Sequence, residues 1–134
     1  MAIILTVNGA RILVICELKS YREAIATAFR VLRPGVEVFE AEEENLDQEV
    51  GRLGPDLVVC SRLTARVEAS VPNWVELYPG CGSRSFVSLR GERSTIEGIQ
   101  LCDLLYMVDR TLGPSGLGVR ELPEQGPELG SQVI

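Results

Sequence analysis

"GPDLVVCSRL", residues 54–63, is the stretch that decides the fold. Gly54-Pro55 ends whatever helix precedes it, because glycine accepts the left-handed cap and proline cannot continue the turn. Leu57-Val58-Val59-Cys60 then runs apolar with no alternation, the pattern of a strand covered on both faces. Residues 11–16, "RILVIC", repeat that pattern. Two such strands, about forty residues apart, ask what lies between them.

The interval holds two helices and a strand. Ser20-Tyr21-Arg22-Glu23 has the form of a capping box, and Ile25, Ala28, Phe29 and Leu32 follow at helical spacing until Pro34-Gly35. "VEVF" at 36–39 reads as a strand. Asn45 with Gln48 opens a second helix that carries Leu46, Val50 and Leu53 on one face. The order βαβαβ with short connections predicts a parallel sheet with right-handed crossovers.

Beyond residue 60 the pattern changes. Leu63, Val67 and Val71 predict a short crossover helix ended by Pro72, and "WVELY" at 74–78 and "SFVSL" at 85–89 read as strands. Only "PGCGSR" separates these two, too little for a parallel crossover of about a dozen residues, so they are expected to be antiparallel. A tight turn at "RGER" extends the meander through "STIE"; the competing reading caps a helix with Ser94 and Glu97. Leu101, Leu104, Leu105, Val108 and Leu112 form the stripe of a last helix, with a stop expected at Gly113-Pro114. The chain is thus expected to be one α/β domain over 1–112 with a Gly/Pro-rich tail over 113–134. "IILTVNGARILVI" also carries an Asn-Gly hairpin signal, which conflicts with neighbours on both sides of strand 11–16.

Composition narrows the chemistry. The net charge of −6 disfavours non-specific attraction to nucleic acid or an anionic membrane. There is no histidine, hence no imidazole base or ligand. Cys16, Cys60, Cys81 and Cys102 have no Cys-x-x-Cys spacing, so no structural metal is expected. "GPSGLG" at 113–118 follows a helix instead of a strand and is no dinucleotide loop, and neither a Walker-type lysine nor a phosphate loop after the first strand occurs, so no cofactor is expected. The apolar runs are too short to span a membrane and no basic leader precedes them. A reduced, cytoplasmic protein is the expectation.

In an open α/β sheet, ligands bind beyond the carboxyl ends of the strands. Cys16 and Glu17 after the first strand, and Ser61 and Arg62 after the third, are therefore the candidate pocket. "RILVICE", a helix, a strand, a helix and "PDLVVCS" together resemble the first half of the receiver domain of two-component response regulators, over residues 11–61. The resemblance implies a three-layer, flavodoxin-like fold. In that family the first strand ends in two acidic residues and the third in the aspartate that accepts phosphate. Here the acidic pair is Cys16-Glu17, the acceptor position is Ser61, and no Lys-Pro follows a later strand. One carboxylate is a poor Mg²⁺ site and a serine without a base is a weak nucleophile. The expectation is a non-enzymatic, degenerate receiver-like domain (a pseudo-receiver) that serves signal transduction through protein contacts. A small-molecule or thiol-redox site on Cys16, Glu17 and Ser61 is the alternative; plain readings of the same residues are core-filling thiols, a surface carboxylate and a capping hydroxyl.

Arg62, Arg66, Arg84, Arg90 and Arg93 make residues 61–93 locally basic in an acidic chain. Arg84, Arg90 and Arg93 are the candidate interaction surface. A homodimer or docking of an acidic protein fits this asymmetry, and the hairpin edge near 86–97 offers strand addition. "EAEEEN" at 40–45 reads as a solvated approach to a helix N-terminus.

Overall fold

A computed structural model describes residues 9–117. The elements are β1 (Arg11–Ile15), α1 (Lys19–Leu32), β2 (Glu37–Glu40), α2 (Leu46–Leu53), β3 (Leu57–Cys60), α3 (Ala65–Ser70), β4 (Trp74–Glu76), β5 (Arg84–Leu89), β6 (Glu92–Glu97) and α4 (Leu101–Leu117). The six strands form one mixed sheet in the order β2-β1-β3-β4-β5-β6. The first four are parallel; β5 runs antiparallel to β4, and β6 antiparallel to β5.

Alternation divides the core in two. Ile12, Val14, Leu57, Val59, Val75 and Val87 face α1 and α4, where Phe29, Leu104, Met107 and Val108 meet them. Leu13, Ile15, Val58, Cys60 and Trp74 face α2 and α3 and pack on Leu46, Val50, Leu53 and Val67. Helices on both faces explain the unbroken apolar runs of β1 and β3, and make the molecule three-layered. α2 ends on Gly54 in the left-handed conformation (φ 58°), its N–H bonded to Val50 O at 3.0 Å.

The hairpin is tied to β4 at both ends by buried polar groups. The Tyr78 N–H donates to Ser85 Oγ (3.1 Å) beyond one end of β4, and Ser88 Oγ donates to Pro72 O (3.1 Å) beyond the other. Asn73 spans the two halves: its Nδ2 donates to Asp56 O (3.0 Å) and its Oδ1 accepts the Arg90 N–H (2.8 Å). That second bond helps hold Arg90 at φ 55° in the two-residue turn with Gly91, where both positions need positive φ.

Several expectations are corrected. Ser20 caps nothing: the Arg22 N–H already bonds Leu18 O at 3.0 Å, so α1 starts at Lys19 and Ser20 lies inside it. Asn45 precedes α2 but makes no side-chain cap; a single 3₁₀ turn, Glu43–Asn45, leads in instead. The second strand sits one residue later than "VEVF". Leu32 and Leu101 belong to their predicted stripes yet are 46% and 40% exposed; they are the last residue of α1 and the first of α4. "STIE" lies in β6, so the helix from 95 is not formed.

α4 does not stop at Gly113-Pro114 but runs to Leu117. Proline 114 withholds one N–H, the one that would bond Arg110 O four residues back. Arg90 Nη2 donates to that carbonyl at 3.3 Å, which offsets part of the loss. The tail reading of 118–134 and the pairing of residues 2–7 lie outside the described residues. β1 itself is flanked by β2 and β3, so neither of its edges is open to a hairpin partner.

Candidate functional site

The carboxyl ends of β1, β3 and β4 lie side by side. The Ser61 N–H donates to Ile15 O (3.1 Å), and the Leu77 N–H to Cys60 O (2.8 Å). Past them opens a cleft of about 380 Å³, lined by Glu17, Leu18, Tyr21, Glu43, Ser61, Arg62, Glu76, Leu77, Tyr78, Pro79 and Gly80. Its size is that of a small-ligand pocket. Three of the four candidate pocket residues, Glu17, Ser61 and Arg62, line it together; Cys16 does not.

Cys16 is buried beneath the cleft. Burial pushes its thiol up to about 11, against weaker opposing pulls from a hydrogen bond with Ser61 and from the Arg22 charge. Burial, with Glu76 next in weight, raises Cys60 as well. Both thiols are therefore neutral near pH 7 and poor nucleophiles. The register opposes Cys60 to Ile15, which puts Cys16 one residue further on. Side-chain alternation then sends Cys16 to the α1/α4 face and Cys60 to the α2/α3 face. A disulfide between them, which requires side chains facing the same way, is out of reach.

Ser61 Oγ accepts the Glu17 N–H at 2.9 Å, so the hydroxyl bridges two strand tips. Glu76 accepts the Leu63 N–H at 3.0 Å and so orders the loop into α3. Glu43 stands 4.0 Å from Arg62, whose side chain is 76% exposed, a pairing that solvent largely screens. Glu17, Glu43 and Glu76 against Arg62 leave the cleft acidic. Among the described residues, no group of three or more Cys, Asp or Glu side chains is placed to hold a metal ion. Tyr78 forms the far wall at a left-handed φ of 46°, with its hydroxyl donating to Ile99 O at 2.7 Å.

Sequence reading did not find Tyr21, Glu43, Glu76 or Tyr78, which come from α1, the 3₁₀ turn, the end of β4 and the connection after it, and have no shared spacing. It also passed over Arg22, which is 6% exposed on the inner face of α1. Glu40 and Glu42 each stand 3.8 Å from its guanidinium, and its Nε has no hydrogen-bond partner among the described residues. The signal was present: Arg22 sits on the same stripe as Ile25, Ala26 and Phe29, where a charge is unusual.

The candidate interaction residues are divided. Arg84 and Arg93 share the sheet face beyond Trp74, where Arg93 lies 5.5 Å from the Trp74 ring and 2.7 Å from Glu68 of α3. Arg90 reaches the other way, to α4. No helix among the described residues is long and apolar enough to cross a membrane. No family model, no curated protein and no solved structure matches this chain.

Proposed function

We propose that this chain is a non-enzymatic, receiver-like regulatory domain that works through protein contacts and takes up no phosphoryl group. The observation that carries the proposal is the meeting of the β1 and β3 tips at Glu17 N–H and Ser61 Oγ, 2.9 Å apart. By the resemblance, these correspond to the positions where a receiver gathers its acidic pair and its acceptor aspartate. Here they bring one carboxylate, a neutral buried thiol and a hydroxyl already engaged as an acceptor. Parallel strands in the order β2-β1-β3-β4 favour the comparison. The antiparallel β5 departs from the flavodoxin-like order, in which a fifth parallel strand follows.

Among the described residues, no histidine or other ordinary base is seen to bond the Ser61 hydroxyl, and no set of carboxylates with Glu17 is arranged to share a magnesium ion. Phosphoryl capture at this cleft is therefore chemically unsupported. The second reading, a small-molecule site, is favoured by the cleft's volume and its three carboxylates.

Intact-mass spectrometry after incubation with acetyl phosphate and magnesium tests the first reading: an unmodified mass is expected, and a phosphoryl adduct overturns it. Native mass spectrometry of freshly purified protein separates the two. A bare chain mass supports the contact reading; a retained small molecule that Ser61→Ala or Glu17→Gln releases supports the other.

A further inference from the structure

The outer edge of β6 has no neighbour among the described strands. The Arg90-Gly91 turn closes the hairpin at the Leu89–Glu92 pair, which exchanges hydrogen bonds, and alternate pairs beyond it do the same. Ser94 and Ile96 thus turn their N–H and C=O toward β5. Gly98 continues the series, its N–H bonded to Ser83 O at 2.9 Å. Arg93, Thr95 and Glu97 turn theirs outward. Their side chains are exposed, on the face shared with Arg84, Phe86 and Ser88.

We propose that this edge pairs antiparallel with the β6 edge of a second copy, about a two-fold axis through Thr95, to make one continuous sheet. It deepens the protein-contact reading by naming the partner. Two constraints choose this register. With the axis at Thr95, every outward N–H and C=O of Arg93, Thr95 and Glu97 finds its counterpart, and Arg93 of each copy stands opposite Glu97 of the other. Moving the axis to Arg93 or Glu97 sets like charges opposite one another. Moving it to Ser94 or Ile96 leaves Glu97 or Arg93 without a strand partner.

Charges on an edge strand ordinarily guard it against pairing. On β6 they guard against all but one register. Within each copy Arg84 already stands across from Glu97. The paired face therefore carries a row Arg84, Glu97, then Arg93 of the second copy, alternating in sign. Arg93 leans inward to Trp74 and Glu68 in the single chain, and its fork of donors can serve Glu68 and an incoming carboxylate together.

Sedimentation velocity from about 5 to about 500 µM, the range suited to a small interface, tests this on the full chain. The wild type is expected to shift from monomer to dimer across that range. Arg93→Glu and Glu97→Arg should each weaken association roughly tenfold or more by opposing like charges. A mixture of the two variants should restore a dimer, because each supplies the charge that the other's edge lacks. Thr95→Pro, which removes an outward N–H while sparing the ladder to β5, should give a monomer. Circular dichroism melting shows that each variant is folded, and a variant that is not folded leaves the decision to the others. A wild type that stays monomeric throughout overturns the proposal, as does a dimer indifferent to these changes or a mixture that fails to associate. Failure here leaves the cleft reading standing, since that rests on the absence of phosphoryl uptake; an adduct at the cleft would remove that reading and leave the sedimentation result intact.

Discussion

β3 and β6 belong to one sheet, yet every residue from Leu57 to Cys60 is buried, whereas Glu92–Glu97 are exposed except for the half-buried Ile96. Their connections account for the difference. Parallel neighbours must be joined by a crossover, and α1, α2 and α3 each return along the sheet and cover part of a face. The two-residue Arg90-Gly91 turn brings no helix with it. α4 covers β5 on one side, where Val87 is buried, and the opposite side leaves Phe86 39% exposed. Stability in this molecule is concentrated where chain returns over the sheet, and open surface remains where it does not.

Phe29 and Phe86 measure that contrast most directly. Phe29 is fully buried between α1 and the sheet, so Phe29→Ala is expected to destabilise by about 3–5 kcal/mol. Phe86→Ala should cost about 1–2 kcal/mol, since its side chain is 39% exposed and its loss leaves no closed cavity. Urea unfolding of the two variants checks this. Equal losses would mean that the Phe86 face is covered in solution, and the β6 edge pairing would then be the first place to look.

The parallel half was legible because each of its signals is local. An apolar run with Gly or Pro at its border names a doubly covered strand, and a six-residue connection excludes a parallel crossover. Substitutions of one hydrogen-bond partner for another, near in sequence or far, were not legible. α1 begins before its apparent cap because Leu18 O already receives a helical bond, and α4 passes Pro114 with Arg90, distant in sequence, serving the vacated carbonyl. The cleft was half legible for the same reason. Glu17, Ser61 and Arg62 follow from strand ends alone, but Tyr21, Glu43, Glu76 and Tyr78 reach it only through tertiary packing.

Asn73 joins the two halves, so its loss should be the next largest. Asn73→Ala removes the acceptor of the Arg90 N–H and the donor to Asp56 O, and Asn73 is only 8% exposed. An expected cost of about 2 kcal/mol follows from leaving these groups unpaired. Hydrogen exchange sharpens the point: β5 and β6 amides should lose protection while β1 and β3 amides keep theirs. Uniform loss would show that the hairpin and the parallel half unfold as one unit.

Alkaline pH probes the parallel half alone. The Cys16 thiol is raised from 9.0 to about 11 by burial. The unfolded chain therefore releases this proton first as pH rises, and stability that is intact below pH 9 is lost through about pH 11. The slope is at most about 1.4 kcal/mol per pH unit for each such thiol. Urea midpoints at pH 8 and pH 10 should differ accordingly, and Cys16→Ala should flatten the part due to Cys16. An unchanged slope in that variant would assign the loss to other groups.

Ser61→Ala carries the smallest expected effect and separates the two regions most cleanly. The substitution leaves the Glu17 N–H without its 2.9 Å acceptor at a tip where water can take over. The loss should be about 1 kcal/mol or less. Removing the Ser61 hydroxyl also withdraws the hydrogen bond that pulls the Cys16 thiol downward, so Cys16 should react with a thiol reagent more slowly still. Association should not change, because Ser61 lies at the carboxyl ends of the parallel strands and β6 forms the outer edge among the described strands. If Ser61→Ala shifts the oligomeric state as strongly as Arg93→Glu does, the cleft and the hairpin edge act as one site, and the division between a buried parallel half and an open antiparallel half does not govern function.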